Sequence, residues 1–397
     1  MISVAEARAR IIAGLAQADL ETVPLAAAHG RVLGVPVKAR VAHPPADVSA
    51  MDGYAVRTAD AIVGARLSVI GAAPAGHPFS GTVGPGEAVR LFTGSFVPEG
   101  ADAILIQENA TAETAGIIVN EAPVAGRHIR RQGQDFAVGD VLLRAPRRLT
   151  VRDIALAAAA NHPWLMVVRR PRIAILATGD EISLPGEPVG PGGIVNSNST
   201  MLAAFVAACG GEGLLLPAAG DDAAAIAAAV EAARGADLLV TTGGASVGAH
   251  DLVQSGLARH GFALDFWKIA MRPGKPLIFG HAGSLPVLGL PGNPVSAYVC
   301  AVLFLGPALA AMTHQPQTSP VFVPARLRGS LPPNDMREDY LRASLIWQDG
   351  GWIATPFVRQ DSAMLVPLAE ADALLRRPPF QGTLADGDEV EVIRLDL

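Results

Sequence analysis

Thr178-Gly-Asp-Glu181 directly follows the apolar run Ile173-Ala-Ile-Leu-Ala177. Two adjacent carboxylates at a strand end repel each other unless a cation or hydrogen-bond donors stabilise them. A hard cation such as Mg²⁺ suits such oxygen donors and the phosphates of a substrate. A solvated turn accounts equally well for the four residues alone.

A second run, Thr241-Thr-Gly-Gly-Ala-Ser-Val-Gly248, follows a strand ending at Val240. Gly243, Gly244 and Gly248 let the backbone turn sharply and bring N–H groups towards an anion. A helix starting near His250 and Asp251 adds its positive end to the same loop. The spacing is neither a P-loop nor a dinucleotide fingerprint, and a simple tight turn remains the alternative.

Lys268, Arg272 and Lys275 place three cations within eight residues, beside the apolar strand Leu277-Ile-Phe279. Pro273 and Pro276 stiffen the loop. Fixed cations next to a glycine loop are what a polyanion needs for charge neutralisation, although basic turns are also common. Gly289-Leu-Pro-Gly-Asn-Pro-Val-Ser296 then forms a rigid turn, with Ser296 where a helix begins and N–H groups are free. Further upstream, Asp52 in Ser49-Ala-Met-Asp-Gly-Tyr-Ala55, Thr93 in Phe92-Thr-Gly94 and Asp135 in Arg130-Arg-Gln-Gly-Gln-Asp135 lie in glycine-containing segments. Taken alone, both carboxylates read as turn formers.

The elements that must hold these runs follow from periodicity. Ser3 and Glu6 signal a capped helix to about Ala18, and Thr150–Asn161 a second; together they suggest a stalk from which a β-domain is inserted. Between them, Ala88-Val-Arg-Leu-Phe92 and Ala103-Ile-Leu-Ile106 read as strands. From Arg172 the pattern alternates: strands at 173–177, 214–216 and 238–240, helices at 200–209, 222–234 and 251–260. That order predicts a parallel sheet with helices on both faces, whose ligands gather at the carboxyl ends of the strands. After Thr313 the reading returns to β, with strands at 321–323, 341–347, 352–355 and 389–394 and a hairpin turn at Asp349-Gly-Gly351.

Composition narrows the class. The chain has 397 residues, half of them hydrophobic, with a net charge of −6. That length asks for two to four domains, and the scattered charge excludes a nucleic-acid binder with a concentrated basic face. Cys209 and Cys300 lie in apolar stretches and read as buried small hydrophobes, in keeping with a reducing cytosol. The N-terminus carries Glu6, Arg8 and Arg10 where a secretory signal needs an apolar core. Pro294–Met312 carries no charge and is long enough to span a bilayer. Its Gly306-Pro307 interruption and position after a candidate catalytic loop favour a buried helix in a soluble, cytoplasmic protein.

The seven runs MDGYA, FTG, RRQGQD, TGDE, TTGGASVG, MRPGKP and GLPGNPVS, in this order along essentially the whole chain, resemble the MoeA family, whose eukaryotic counterpart is the gephyrin E domain. The resemblance implies a multidomain α/β plus β fold. Residues 1–20 and 137–168 form the helical stalk, 21–136 a β-rich domain inserted on it, 169–313 a doubly wound α/β molybdopterin-binding domain and 314–397 a C-terminal β-domain. It further implies a homodimer in which the β-rich domain serves the partner subunit's site. The activity implied is molybdenumtransfer: adenylylated molybdopterin and molybdate yield the metal-loaded cofactor and AMP, with Mg²⁺.

By the same resemblance, Asp52, Thr93, Glu181, Asp251, Lys268 and Lys275 form the catalytic set, with Glu181 and Asp251 at the metal. The pterin phosphate and AMP fall to Asp135, Thr178, Gly179, Asp180, Asp221, Gly243, Gly244, Ser246, Gly248, Pro291 and Pro294. Helix capping is an equal account of Asp221. Molybdate falls to Arg272, Lys275, Ser296, Arg342 and Ser362, the last two placed by Arg337-Glu-Asp-Tyr-Leu-Arg342 and Arg359-Gln-Asp-Ser362. Arg272 departs from relatives that carry Lys there, which changes a point charge into a planar fork. Further partners implied are a molybdopterin adenylyltransferase and apo-molybdoenzymes. Two other readings compete. The adenylyltransferase itself has a similar α/β domain but a GGTG loop and no additional domains; a non-enzymatic scaffold needs a peptide groove that no residue run here announces.

Overall fold

The computed structural model describes residues 1–220, 222–243 and 256–396. It divides into two compact units, one holding residues 1–21, 30–32 and 167–397, the other residues 22–29 and 33–166.

The α/β part of the first unit is built on a six-stranded sheet. Glu212–Leu215, Arg172–Ala177, Leu238–Thr242 and Leu285–Leu290 lie side by side in parallel, and Ile278–Ala282 and Phe262–Trp267 complete the sheet antiparallel. The parallel pairing expected from the alternation holds for the strands it named, and one added strand, Ile278–Ala282, runs against them. The reason is local: Ala282 pairs with Leu285 across Gly283-Ser284, with Gly283 at φ +61°, and so short a turn can only reverse the chain.

Strand alternation distributes the core to both faces. Ile173, Ile175, Leu238, Val240 and Leu288 point to a core shared with Leu202, Phe205 and Val206 of the helix Asn198–Ala208 and with Val299, Leu303 and Leu309. Ala174, Leu176, Leu239 and Val287 point the other way, to Ile226 and Val230 of the helix Ala223–Ala232. Asp222 caps that helix by accepting from Ala225 N–H at 3.0 Å.

Pro294–Met312 has mean hydropathy 2.0, yet 78% of it is buried inside the fold, which accounts for its apolar composition without a bilayer. It is α-helical over Pro294–Cys300 and Gly306–Met312, and Ala301–Leu305 between them form a wider turn. The wide turn meets Pro307, which has no N–H for the regular ladder.

The helix Val4–Ala13 is capped by Ser3, which accepts from Glu6 N–H at 3.1 Å, and it stops at Gly14 rather than Ala18. It buries Val4, Ala7 and Ile11 in the α/β core, so it belongs to the first unit. The other expected stalk helix, Val151–Ala159, has a full capping box between Thr150 and Asp153 and belongs to the second.

Residues 323–394 form a small closed β-structure. Val323–Leu327, Glu338–Gln348, Gly351–Pro356, Ala373–Arg377 and Glu389–Arg394 pair in a ring that closes through Leu341 opposite Leu375. Ala325, Ala343, Ala354 and Ala373 fill its centre with Leu327, Leu375, Val390 and Val392, small side chains suited to a tight barrel. Gln348 pairs with Gly351, so the hairpin turn is the two-residue Asp349-Gly350, both at positive φ. The strand expected at 321–323 instead starts at Val323.

The second unit centres on another six-stranded sheet, in the order Ala103–Ile106, Gly53–Val56, Glu87–Leu91, Arg66–Ala73, Gly116–Val119 and Ala110–Ala112. Both of its faces are covered: Val56, Leu67, Ala88, Leu105 and Ile117 on one, Ala55, Val89, Leu91 and Ile104 on the other.

Candidate active site

Three parallel strands end together, with Ala177 beside Thr242 and Thr242 beside Leu290. The next residues of each strand are crowded at backbone level. Gly243, at φ +95°, lies so close to Thr178 that a Cβ there would stand 2.4 Å from the Thr178 carbonyl oxygen. A Cβ on Gly292 would in turn touch Gly243 Cα at 3.4 Å. Thr178 N–H donates to Thr242 O at 3.0 Å and Gly179 N–H to Ala219 O at 3.1 Å, so the turn carrying the two carboxylates is pinned on both sides.

Asn198 organises this convergence. Its amide donates to Thr242 Oγ1 at 2.8 Å and to the Gly292 carbonyl at 2.7 Å. Among the described residues, its Oδ1 and the Oγ1 of Thr178 are buried without a hydrogen-bond partner. Buried acceptors of this kind are rare and ask for a donor. Sequence reasoning missed Asn198. The signal was present in Asn196-Ser-Asn-Ser-Thr200, a polar run opening an apolar helix whose first residue, Asn198, is buried. Asn196 and Ser199 brace that end, with Asn196 Nδ2 donating to Ser199 Oγ at 2.9 Å.

Asp180 and Glu181 are both exposed. The Glu181 carboxylate folds back over Gly179, at φ +141°, where a Cβ would stand 2.5 Å from Glu181 Oε2. Asp221, Gly244, Ser246, Gly248 and Asp251 lie outside the described residues, as does the start of the helix expected at 251–260.

The basic loop is tied to the C-terminal strands of the same unit. Met271–Arg272 pairs in parallel with Glu338–Asp339, and Ile269 N–H donates to the Lys275 carbonyl at 3.0 Å. Gly274, at φ +108°, backs onto Cys300, leaving no room for a Cβ, which would meet Cys300 Sγ at 2.6 Å. Lys268 sits at φ +70° with its ammonium 3.5 Å from the Trp267 ring centroid, so it is oriented by a neighbouring aromatic face. The Lys275 side chain is exposed. Arg272 reaches Asp335 at 2.7 Å and lies 3.9 Å from Asp339.

Pro294 is the first residue of its helix and Asn293 the cap, so Ser296 falls inside the first turn, buried at 5% exposure. One of the N–H groups expected to be free there is taken: Val295 N–H donates to the Ser362 carbonyl at 3.1 Å. Asn293 Nδ2 donates to Ser362 Oγ at 2.8 Å, and the carbonyl of Pro291 faces Thr242 Oγ1 at 3.4 Å. Arg342 is 1% exposed, and burial pulls its guanidinium below the usual range. It donates to Gln360 Oε1 and to the carbonyls of Met364, Arg359 and Asp361 at 2.9–3.4 Å. A guanidinium has five N–H donors. Arg342, expected at the molybdate, thus spends most of its donors on the loop carrying Ser362, and one N–H remains.

In the second unit, Asp52 and Thr93 are brought together. Thr93 donates to Asp52 Oδ1 from its backbone N–H at 2.7 Å and from its hydroxyl at 2.9 Å. These bonds hold the Asp52 carboxyl below the usual carboxylate range. Asp135 is exposed, and its N–H donates to the His43 carbonyl at 3.0 Å. The run before Asp135 is anchored on Asp47, a residue sequence reasoning passed over, which accepts from Arg131 at 2.5 Å and from Gln132 N–H at 2.8 Å.

Three family models match the chain: the MoeA N-terminal region (domain I and II) at residues 2–161, a probable molybdopterin binding domain at 174–311 and the MoeA C-terminal region (domain IV) at 324–395. A molybdopterin molybdenumtransferase of Nostoc sp. is 35% identical over 96% of this chain and 90% of its own. Molybdopterin molybdenumtransferase 2 of Mycobacterium tuberculosis is 36% identical over 94% of each chain. The crystal structure of a molybdopterin biosynthesis MoeA protein from Pyrococcus horikoshii superposes with a TM-score of 0.87, at 29% identity and 99% coverage of both chains. With matches of this length and in this order, the chain belongs to the MoeA family.

Proposed function

We propose that this chain is a transferase of molybdenum cofactor biosynthesis that inserts molybdate into the dithiolene of adenylylated molybdopterin with release of AMP. The observation that carries the reading is the end-to-end match to molybdenumtransferases, all three regions in order. An adenylyltransferase reading leaves the first and last of these regions without a role.

The chemistry of the strand ends supports it. A pterin ring carries N–H donors, which Thr178 Oγ1 and Asn198 Oδ1 can accept in a buried setting. In this reading the phosphates lie against Gly179, Gly243, Pro291 and Pro294. In this reading Arg272, Lys275, Ser296 and Ser362 receive molybdate, Arg342 holds the Ser362 loop, and Lys268 adds positive charge. Fixed donors of this sort stabilise charge developing as the phosphoanhydride breaks.

Exposed oxygen donors at Asp180 and Glu181 suit Mg²⁺, which needs few protein carboxylates when substrate phosphates complete its shell. Glu181 would hold it together with Asp251. When bound, Mg²⁺ neutralises phosphate oxygens and polarises the anhydride. Asp52 and Thr93 of one subunit serve the site of the other in a cytoplasmic homodimer, with the adenylyltransferase as substrate donor and apo-molybdoenzymes as acceptors.

The test is AMP release from adenylylated molybdopterin with Mg²⁺, with and without molybdate, for the natural chain and Glu181→Gln. Molybdate-dependent release that collapses in the variant supports both the activity and the acidic metal site. No release from well-folded protein overturns the activity.

A further inference from the structure

Arg272 is already engaged by a carboxylate of its own chain. Its guanidinium donates to Asp335 Oδ2 at 2.7 Å. Arg337 donates to the same Oδ2 at 2.6 Å from its terminal nitrogen, and its Nε lies 3.2 Å from Oδ1. The Asp335 loop is fixed at backbone level as well: Arg337 N–H donates to Asp335 Oδ1 at 2.9 Å and Phe380 N–H to the Asp335 carbonyl at 2.8 Å. One carboxylate thus accepts from two guanidiniums.

The position of Asp335 differs from that of the second acidic neighbour, Asp339. Asp339 is 3% exposed, opposite Arg272 in strand register, and its Oδ1 has no hydrogen-bond partner among the described residues. It cannot swing aside. The Arg272 and Asp335 side chains are 49% and 46% exposed, so their pair can open towards solvent at small cost. Carboxylates and tetrahedral oxyanions use the same guanidinium donors. The donor that Asp335 holds is one that an entering oxyanion would have to take from it.

We propose that Asp335 is a built-in competitor for the oxyanion subsite of Arg272, an inference that rests on the assignment of Arg272 to molybdate above. Without substrate its carboxylate holds a terminal N–H of the Arg272 guanidinium. An entering oxyanion must displace it from that donor, at the same cost whatever the anion's charge. Asp335 therefore weakens oxyanion binding at Arg272 and sets the concentration at which these anions bind.

The experiment is equilibrium calorimetry of the full chain with sodium molybdate, and with sodium nitrate as the monoanion. Asp335→Asn and Asp335→Ser both remove the charge but keep an oxygen for Arg337 N–H, so one serves as a check on folding of the other. Both are expected to tighten molybdate about two- to fivefold, the scale of a part-exposed ion pair. Nitrate meets the same competitor and should tighten by a similar factor. Asp335→Glu, with its charge retained, is expected to bind as the natural chain does. Unchanged or weaker molybdate binding in both neutral variants overturns the competitor, as does a glutamate variant that tightens equally. Arg272→Gln separates the two levels. If it weakens molybdate while the neutral variants do not tighten it, the Arg272 assignment stands and only the competitor fails. If it leaves molybdate binding unchanged, or if no form binds molybdate, both fail.

Discussion

Asn198 joins two strand-end loops through a single amide nitrogen, which donates to Thr242 Oγ1 at 2.8 Å and to the Gly292 carbonyl at 2.7 Å. The first prediction follows from its burial. Asn198→Ala leaves both acceptors unpaired, and one unsatisfied buried group costs about 1–3 kcal/mol. The variant should melt several degrees lower and lose molybdate-dependent AMP release. Asn198→Asp keeps the shape but offers no donor, so it should behave at least as badly at neutral pH. Thermal melts and AMP assays of the pair check this, and natural values in both remove the clamp from the account.

The second concerns Asp52. Its carboxyl is held low chiefly by the Thr93 backbone N–H and then by the hydroxyl. A carboxylate whose folded pKa is depressed stays ionised as pH falls and protonates only below the ordinary range. Thr93→Val removes the hydroxyl bond and spares the N–H. The acid limb of the pH–rate profile should therefore shift upward in Thr93→Val, while Asp52→Asn should lose most activity at every pH. An unshifted acid limb would show that Asp52 does not govern it.

Much of this was legible in the residues alone. Glycine and proline runs between apolar strands marked where the loops lie, because those residues declare backbone turns. Strand ends then followed from β-α alternation, and the last strand, Glu389–Arg394, falls where periodicity put it. What the sequence hid are contacts made at long range by ordinary polar side chains. Asn198 sits 44 residues from Thr242, and no local pattern distinguishes it from a helix-capping Asn. Asp335 lies 63 residues from Arg272, and Arg342 is consumed by carbonyls whose position depends on the loop it holds. The strand Leu285–Leu290 was missed for a related reason: it merges into the glycine-proline loop behind it, which drew attention to the loop and away from the strand.

The third prediction separates two glycines. At Gly243 an added Cβ would stand 2.4 Å from the backbone oxygen of Thr178, a fixed atom. At Gly179 it would meet the carboxylate of Glu181 at 2.5 Å, the movable end of a side chain. Both residues also have positive φ, which costs any other residue about 1–3 kcal/mol. Gly243→Ala should therefore lose more stability than Gly179→Ala. The latter, by pushing Glu181 away, should raise the Mg²⁺ concentration needed for half-maximal activity. Melts together with Mg²⁺ titrations distinguish the two, and equal Mg²⁺ dependence in Gly179→Ala and the natural chain would detach Glu181 from the metal.

The last prediction lies away from the loops, at the start of the central strand. Asp237 accepts from Arg169 at 2.7 and 2.8 Å and from Arg172 N–H at 2.7 Å. Burial pushes its carboxyl up, but the Arg169 and Arg172 bonds outweigh this and leave it below the ordinary range. With its folded pKa depressed, Asp237 contributes stability that is fully present above the unfolded carboxylate pKa and is lost as pH falls through the folded value. Asp237→Asn should cost about 1–2 kcal/mol near neutrality, discounted for the solvent that screens this part-exposed pair. The difference in melting temperature between the natural chain and the variant should shrink steadily as the buffer is taken below the ordinary carboxylate range. A difference that holds constant across that range would mean that the shape of the side chain matters at this strand end and its charge does not.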